Sequence, residues 1–196
     1  MIKTPNKFIT FEEYLAHDDG QRYELVNSEL VEIVVESGKH ADIIETLNDI
    51  FKAEIKHLGK NWISRNSSIG LKLPLFNEKE TCRIPDIAIV TKSQWQELLN
   101  RPAVLTNSAP LLVVEVVSEG SKTIDHRRKR AEYNIIGIPE YWIVDFLTTD
   151  PKYPPGVTVL NLLEDLYEET IFRNNDKIIS QIFPELNLTV QQILQA

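Results

Sequence analysis

The run Leu111-Leu112-Val113-Val114-Glu115-Val116-Val117 constrains this chain more than any other segment. All of it except Glu115 is Leu or Val. A strand that apolar is normally covered on both faces, so the fold must place it between other layers. A lone carboxylate inside it is expensive unless a charged group meets it. The following segment carries Lys122, Arg127, Arg128, Lys129 and Arg130. A second strand-like run, Ile84-Pro85-Asp86-Ile87-Ala88-Ile89-Val90, has the same oddity at Asp86. Two acids on core strands, with a cation cluster one helix away, point to a metal site built to act on phosphate.

Composition sets wide bounds. A chain of 196 residues is expected to form one domain with a substantial core. With 42% hydrophobic and 26% charged residues it has the make-up of an ordinary soluble protein. No run approaches the ~18 apolar residues of a membrane span. The opening MIKTPNKFITFEEYL has no apolar core of a secretory signal, and the single cysteine, Cys82, cannot form an internal disulfide. A cytoplasmic location is the expectation. The net charge of −8 argues against a broad, non-specific nucleic-acid binder. Charge is local, however. The five Lys and Arg between 122 and 130 outweigh Asp125, while acids gather at Glu164-Asp165 and Glu168-Glu169.

The pattern reads as mixed α/β. Thr10 with Glu13 forms a capping box for a helix over Phe11 to His17. Tyr23 to Val26 and Glu29 to Val35, joined by Asn27-Ser28, read as a β-hairpin. Ile43, Ile44, Leu47, Ile50, Phe51 and Ile55 keep helical spacing between Lys39 and His57, with Gly59 as the stop. Strands are expected at Asn61 to Arg65, Ile69 to Leu75, and around Asp86. A short helix over Ser93 to Leu99 follows. After the Glu115 strand, a helix should run from about Thr123 to Ile136, stopped by Gly137. Glu140 to Phe146 reads as a strand, Val157 to Ser180 as a hairpin or meander, and Thr189 to Leu194 as a closing helix. The architecture is a mixed central sheet flanked by helices, with an N-terminal β-hairpin and a small C-terminal β extension.

Depth along the elements shows that Glu115 and Lys129 can meet. Glu115 lies three residues before the expected strand end at Ser118, roughly 10 Å at ~3.3 Å per residue. A helix starting at Thr123 brings Lys129 back about 9 Å at ~1.5 Å per residue. Asp125, Lys129 and Tyr133 recur every four residues on one face, and Ile124, Ala131 and Ile135 are expected to pack on the other. Two nearby carboxylates repel, and one takes up a proton unless a cation binds between them. A hard ion such as Mg²⁺ takes oxygen ligands, and Mn²⁺ can substitute. Such an ion polarises a phosphoryl oxygen and acidifies bound water. A nearby ammonium orients that water or stabilises the developing charge. Phosphodiester hydrolysis is the chemistry this set suits.

At these residues the chain resembles the PD-(D/E)XK nuclease superfamily, whose motif is a Pro-Asp followed by acid-x-Lys on the next core strand. Pro85-Asp86 supplies the first part, and Glu115-Val116-Val117 stands at the second. Val117 occupies the lysine position, and Lys129 would be a lysine migrated to the following helix. More narrowly, the chain resembles the Uma-two family of restriction-endonuclease-like proteins. The matching pieces are Tyr23-Glu24-Leu25, His40, Pro85-Asp86 and Glu115-Val116-Val117-Ser118. They continue with Asp125, Lys129 and Tyr133, Gly137-Ile138-Pro139-Glu140-Tyr141-Trp142, and Phe183-Pro184-Glu185-Leu186. Two positions depart from the family pattern: Glu119 stands where a proline is usual and Asn27 where an Asp is common.

The resemblance implies one restriction-endonuclease-like domain over residues 1–196 and a Mg²⁺-dependent endodeoxyribonuclease. Asp86 and Glu115 would hold the ion with the Val116 carbonyl, and Lys129 would assist the attacking water. Glu24 would be an auxiliary acid, with His40, Ser118, Asp125 and Tyr133 in support. Lys122, Arg127, Arg128 and Arg130 are the expected DNA contacts. A homodimer would allow both strands of a duplex to be cut. The alternatives are a non-catalytic nucleic-acid or protein binding module that kept a nuclease fold, prompted by Val117 and the acidic net charge, and a nuclease directed at RNA, which the sequence does not separate from one directed at DNA. No P-loop, H-E-x-x-H or dinucleotide glycine motif is present, and Ser118 lacks the G-x-S-x-G turn of a nucleophile.

Overall fold

The computed structural model describes residues 8–118, 124–148 and 154–196, without the side chains of 124–126. In chain order its elements begin with α1 (Phe11–Ala16), β1 (Tyr23–Val26), β2 (Glu29–Glu32) and α2 (Gly38–His57). Next come β3 (Trp62–Asn66), β4 (Gly70–Lys72), β5 (Cys82–Arg83), β6 (Ile87–Thr91), α3 (Lys92–Leu98), β7 (Val104–Leu105) and β8 (Leu112–Val116). A π-helical stretch (Ile124–Lys129) then runs directly into α4 (Arg130–Ile135). β9 (Glu140–Asp145), β10 (Gly156–Leu163), β11 (Leu166–Arg173) and α5 (Val190–Leu194) complete the fold.

Local chemistry explains the boundaries. Reciprocal capping boxes start α1 at Thr10/Glu13, α3 at Thr91/Gln94 and α5 at Thr189/Gln192. Asn27 and Ser28 both have positive φ, 50° and 62°. That is the two-residue hairpin turn whose twist matches the flanking strands. Glu164 and Asp165 do the same between β10 and β11, with φ of 46° and 71°. Gly137 adopts φ +74° just beyond α4, the left-handed conformation that ends a helix at little steric cost.

The strands form two mixed sheets. The larger has the order β11-β10-β9-β8-β6-β3, and the smaller β2-β1-β5-β4-β7. β8 and β9 are parallel, joined through the helical segment that carries Lys129, while β6 runs antiparallel to β8. The expected N-terminal hairpin is therefore an edge of a second sheet, and the C-terminal β extension is continuous with the main sheet.

The run around Asp86 is not one strand. β5 belongs to the smaller sheet and β6 to the larger, and the chain crosses between them through Ile84-Pro85-Asp86. Pro85 has no N–H to give a ladder, which suits a crossover better than a strand interior. Asp86 thus sits one residue before β6 rather than on it. The hairpin's second strand also ends early, at Glu32, and the Ile69–Leu75 expectation shrinks to Gly70–Lys72.

β8 is buried at every position, as its Leu/Val composition requires. Leu112, Val114 and Val116 pack with Ile43, Leu47 and Phe51 of α2, and with Trp142, Val144 and Phe183. Val113 and Val117 pack on the other face with Tyr133, Tyr141 and Ile143, and with Ile69 and Leu71 of the smaller sheet. Each such aliphatic or aromatic burial contributes about 1.5–3 kcal/mol. Alternation along β8 then directs Glu115 to the second face, the one covered by α4.

Candidate active site

Strand pairing brings the two acids side by side. Ile87 of β6 is opposite Val114 of β8, and one step further along this antiparallel register Asp86 comes opposite Glu115. The Asp86 carboxylate accepts a hydrogen bond from the Val116 backbone N–H, Oδ2 at 2.7 Å. The crossover is pinned further where the Asp86 carbonyl accepts the Ser67 N–H at 2.9 Å.

Glu115, only 3% exposed, is met from the helix side. Lys129 Nζ lies 2.8 Å from its Oε2, and Tyr133 donates its hydroxyl to Oε1 at 2.5 Å. Lys129 ends the π-helical stretch, and Tyr133 lies one turn on, in α4. π-turns inside helices are frequent at functional sites. Burial, reinforced by the charge of Glu115, pushes the Tyr133 phenol well above its ordinary pKa, so it serves as a neutral donor. Two of the residues expected to pack on the opposite face do not: Ala131 is exposed and Ile135 is 66% exposed, while the Ile124 side chain lies outside the described residues. The covered side of α4 is the Tyr133 side, because that is where the sheet lies.

His40, near the start of α2, completes the floor. Its Nε2 is 2.9 Å from the Val116 carbonyl oxygen and 3.6 Å from Asp86 Oδ2. Asp86, Glu115, Val116, Ser118, His40, Lys129 and Glu24 all line one cleft of about 560 Å³.

Glu24, on β1, is fully engaged. Its Oε2 receives Arg83 Nη1 at 2.8 Å and its Oε1 the Ile84 N–H at 2.9 Å. Arg83 is 2% exposed and also holds Glu132 of α4, through Nε at 2.7 Å and Nη2 at 3.0 Å. Burial alone would lower the Arg83 pKa, but the bonds to Glu132 and the charge of Glu24 outweigh it and raise it. Arg83 was not singled out by the sequence reading. It ties the hairpin, the Pro85-Asp86 crossover and α4 together, and so fixes both sides of the cleft. Its only sequence signal is a cation beside Cys82, separated from the Pro-Asp pair by Ile84.

The basic cluster divides. Arg128 bonds Glu132 at 2.9 Å. Arg130 pairs with Glu169 and donates to the Tyr167 carbonyl. Arg127 is exposed. Lys122 and the Asp125 side chain lie outside the described residues.

The donor set bears on which ion the site suits. Among the described residues, no three His, Cys, Asp or Glu side chains converge as a metal cage. Where Asp86 and Glu115 meet, the cleft offers their two carboxylates and the Val116 carbonyl, all oxygen. Mg²⁺ is commonly bound through one or two carboxylates while it keeps several waters, so the residues present fit it. They do not fit a four-ligand zinc centre.

The sequence model of the Uma2 family, described as "Putative restriction endonuclease", matches residues 11–191. No curated protein matches the chain. Among solved structures, the fold is similar to the crystal structure of a "putative nuclease belonging to DUF820" from Anabaena variabilis ATCC 29413. The TM-score is 0.72 at 16% identity, over 95% of this chain and 98% of that one. With its family match spanning nearly the whole fold, and Asp86, Glu115 and Lys129 gathered in one cleft, the chain belongs to the Uma2 (Uma-two) family.

Proposed function

We propose that this protein is a Mg²⁺-dependent endonuclease of the PD-(D/E)XK type that hydrolyses phosphodiester bonds in DNA. The observation that carries the reading is the meeting of Lys129 with Glu115 at 2.8 Å, on the same cleft floor as Asp86. Asp86 and Glu115, with the Val116 carbonyl, would hold the ion. When bound, it supplies Lewis-acid activation of the phosphate and a more acidic water.

The chain's own residues do the positioning. The Val116 N–H fixes one Asp86 oxygen, so the carboxylate faces the cleft in a set orientation. Tyr133 fixes Glu115 in the same way. Lys129, on the helix, stands where the family motif has its strand lysine. Its ammonium orients the attacking water and offsets the charge that builds on the phosphate oxygens. Glu24 acts through Arg83 and Ile84 as a positioning residue, holding the Arg83 guanidinium and the Ile84 N–H just before the Pro85-Asp86 crossover.

Supercoiled plasmid with Mg²⁺ or Mn²⁺ is the test. Wild type converts it to nicked and linear forms, and Asp86→Asn does not. Equal activity in the two would end the proposal. Tight binding without any cleavage by wild type would favour the alternative, a binding module on a nuclease fold.

A further inference from the structure

The cleft contains more carboxylate than cation. Among its described lining residues, Glu24, Glu32, Glu36, Asp86 and Glu115 face only Arg22, Arg83 and Lys129. Two of these cations already have carboxylate partners: Arg83 is held by Glu24 and Glu132, and Lys129 by Glu115. Arg22 donates to the Ser67 carbonyl and lies at the exposed end of β1. Duplex affinity comes mainly from many Lys and Arg contacts to phosphates along the double helix. These described residues do not make such a track; of the helix cations, Arg128 and Arg130 pair with Glu132 and Glu169, Arg127 is exposed, and none of the three lines the cleft.

The cleft is apolar where a duplex backbone would need charge. Val31, Ile33 and Val34 reach it from the end of β2 and the segment after it, and Phe146 and Leu147 from the end of β9. Val31, on the edge strand β2 of the smaller sheet, is 46% exposed, and Val34, in the segment after it, is 62% exposed. Exposed aliphatic side chains at a cleft mouth, with an aromatic ring at its other source, suit the face of a base. In a duplex that face is stacked and hidden. In a single strand it is open, and base stacking on apolar and aromatic groups carries much of single-strand binding.

We infer that the cleft takes single-stranded DNA, with one unstacked base seated against Val34 and Phe146 beside the phosphate that reaches Asp86 and Glu115. This rests on the nuclease reading for the role of the two acids, but it concerns which form of DNA enters. Few phosphates are contacted, so binding depends weakly on salt. Duplex is attacked only where it frays, gaps or loops.

Binding by the full chain carrying Asp86→Asn, without divalent cation, separates the two claims because it needs neither turnover nor the bound ion. Fluorescence anisotropy would compare a labelled 12-nucleotide single strand with the same sequence in a hairpin duplex. The single strand is expected to bind at least about tenfold more tightly, with a log–log salt slope of magnitude below about 2, which corresponds to two or three phosphates. Val34→Ser, at an exposed position that leaves the core alone, and Phe146→Ala should each weaken single-strand binding about threefold or more with the slope unchanged. Equal or tighter duplex binding overturns the inference, as does single-strand affinity that ignores both substitutions. A protein that prefers single strands yet cleaves nothing would sink the nuclease reading and leave this one standing.

Discussion

Lys129 and Glu115 form a buried ion pair between the last turn of a π-helical stretch and the middle of the most apolar strand, Nζ to Oε2 at 2.8 Å. Neither group is where its charge would be cheapest, and each is tolerable because of the other. Lys129→Met should therefore leave an uncompensated carboxylate and destabilise the fold by about 3–5 kcal/mol. Adding Glu115→Gln keeps an acceptor for Tyr133 and should recover most of that loss, while cleavage stays at least about a hundredfold down. Urea unfolding and plasmid nicking on the two variants separate stability from chemistry.

Arg83 gives a second prediction. It spans Glu24 and Glu132 with three hydrogen bonds, a fork that the single ammonium of lysine cannot reproduce. Arg83→Met should cost about 3–5 kcal/mol in urea unfolding, because two carboxylates lose their common cation. Arg83→Lys should retain the fold and lower the cleavage rate, since α4 and with it Lys129 lose a fixed anchor. Wild-type activity in Arg83→Lys would show that the clamp does not position the site.

Alkali should weaken the fold through neutral groups that burial protects. Burial and the charge of Glu115 raise the Tyr133 pKa, and burial raises that of Cys82 to about 12 from 9.0. A pKa raised by folding means that the native state holds its proton more tightly than the unfolded chain does. That contribution is complete below the unfolded pKa, about 9 for the thiol and 10 for the phenol, and is lost as pH climbs through the folded value. The melting temperature should fall progressively above about pH 9. Tyr133→Phe should make that fall shallower, while costing about 1–3 kcal/mol at neutral pH through the bond lost to Glu115.

Much of this arrangement could be read in the sequence because burial leaves a compositional trace. A strand of Leu and Val announces two covered faces, so Glu115 within it stands out, and strand and helix rises alone place Lys129 at its depth. The capping boxes at Thr10 and the Gly137 stop follow from side-chain chemistry within a few residues. What was not legible depends on contacts between distant segments. Ile84 to Val90 reads as one strand because all of its residues but Asp86 are apolar, and only Pro85 hints that the chain changes sheets there. Arg83 looked ordinary because its partners, Glu24 and Glu132, come from far along the chain. The basic cluster reads as a phosphate-binding face because Glu169, the partner of Arg130, meets it only in the fold, although Glu132 lies within helical reach of Arg128 in the sequence.

Glu140 tests whether stability and activity can be separated on one strand. It is fully buried and accepts from Trp142 Nε1 at 2.6 Å, Ser180 Oγ at 2.7 Å and the Gln181 and Ile182 N–H groups at 2.7 and 3.0 Å. It pairs with Leu112, at the opposite end of β8 from Glu115. Glu140→Gln places amide hydrogens against some of these donors and should cost about 1–3 kcal/mol. Cleavage measured below the melting transition should match wild type.

The central claim is that Asp86 and Glu115 act together on one divalent cation. Calorimetric titration of Mn²⁺ into the protein tests it most directly. Wild type should take up the ion with a measurable heat that disappears in both Asp86→Asn and the Lys129→Met/Glu115→Gln double variant, in which no buried charge is left unpaired, while circular dichroism shows the fold of each unchanged. Uptake that persists in both variants, or no uptake by wild type, would contradict the account.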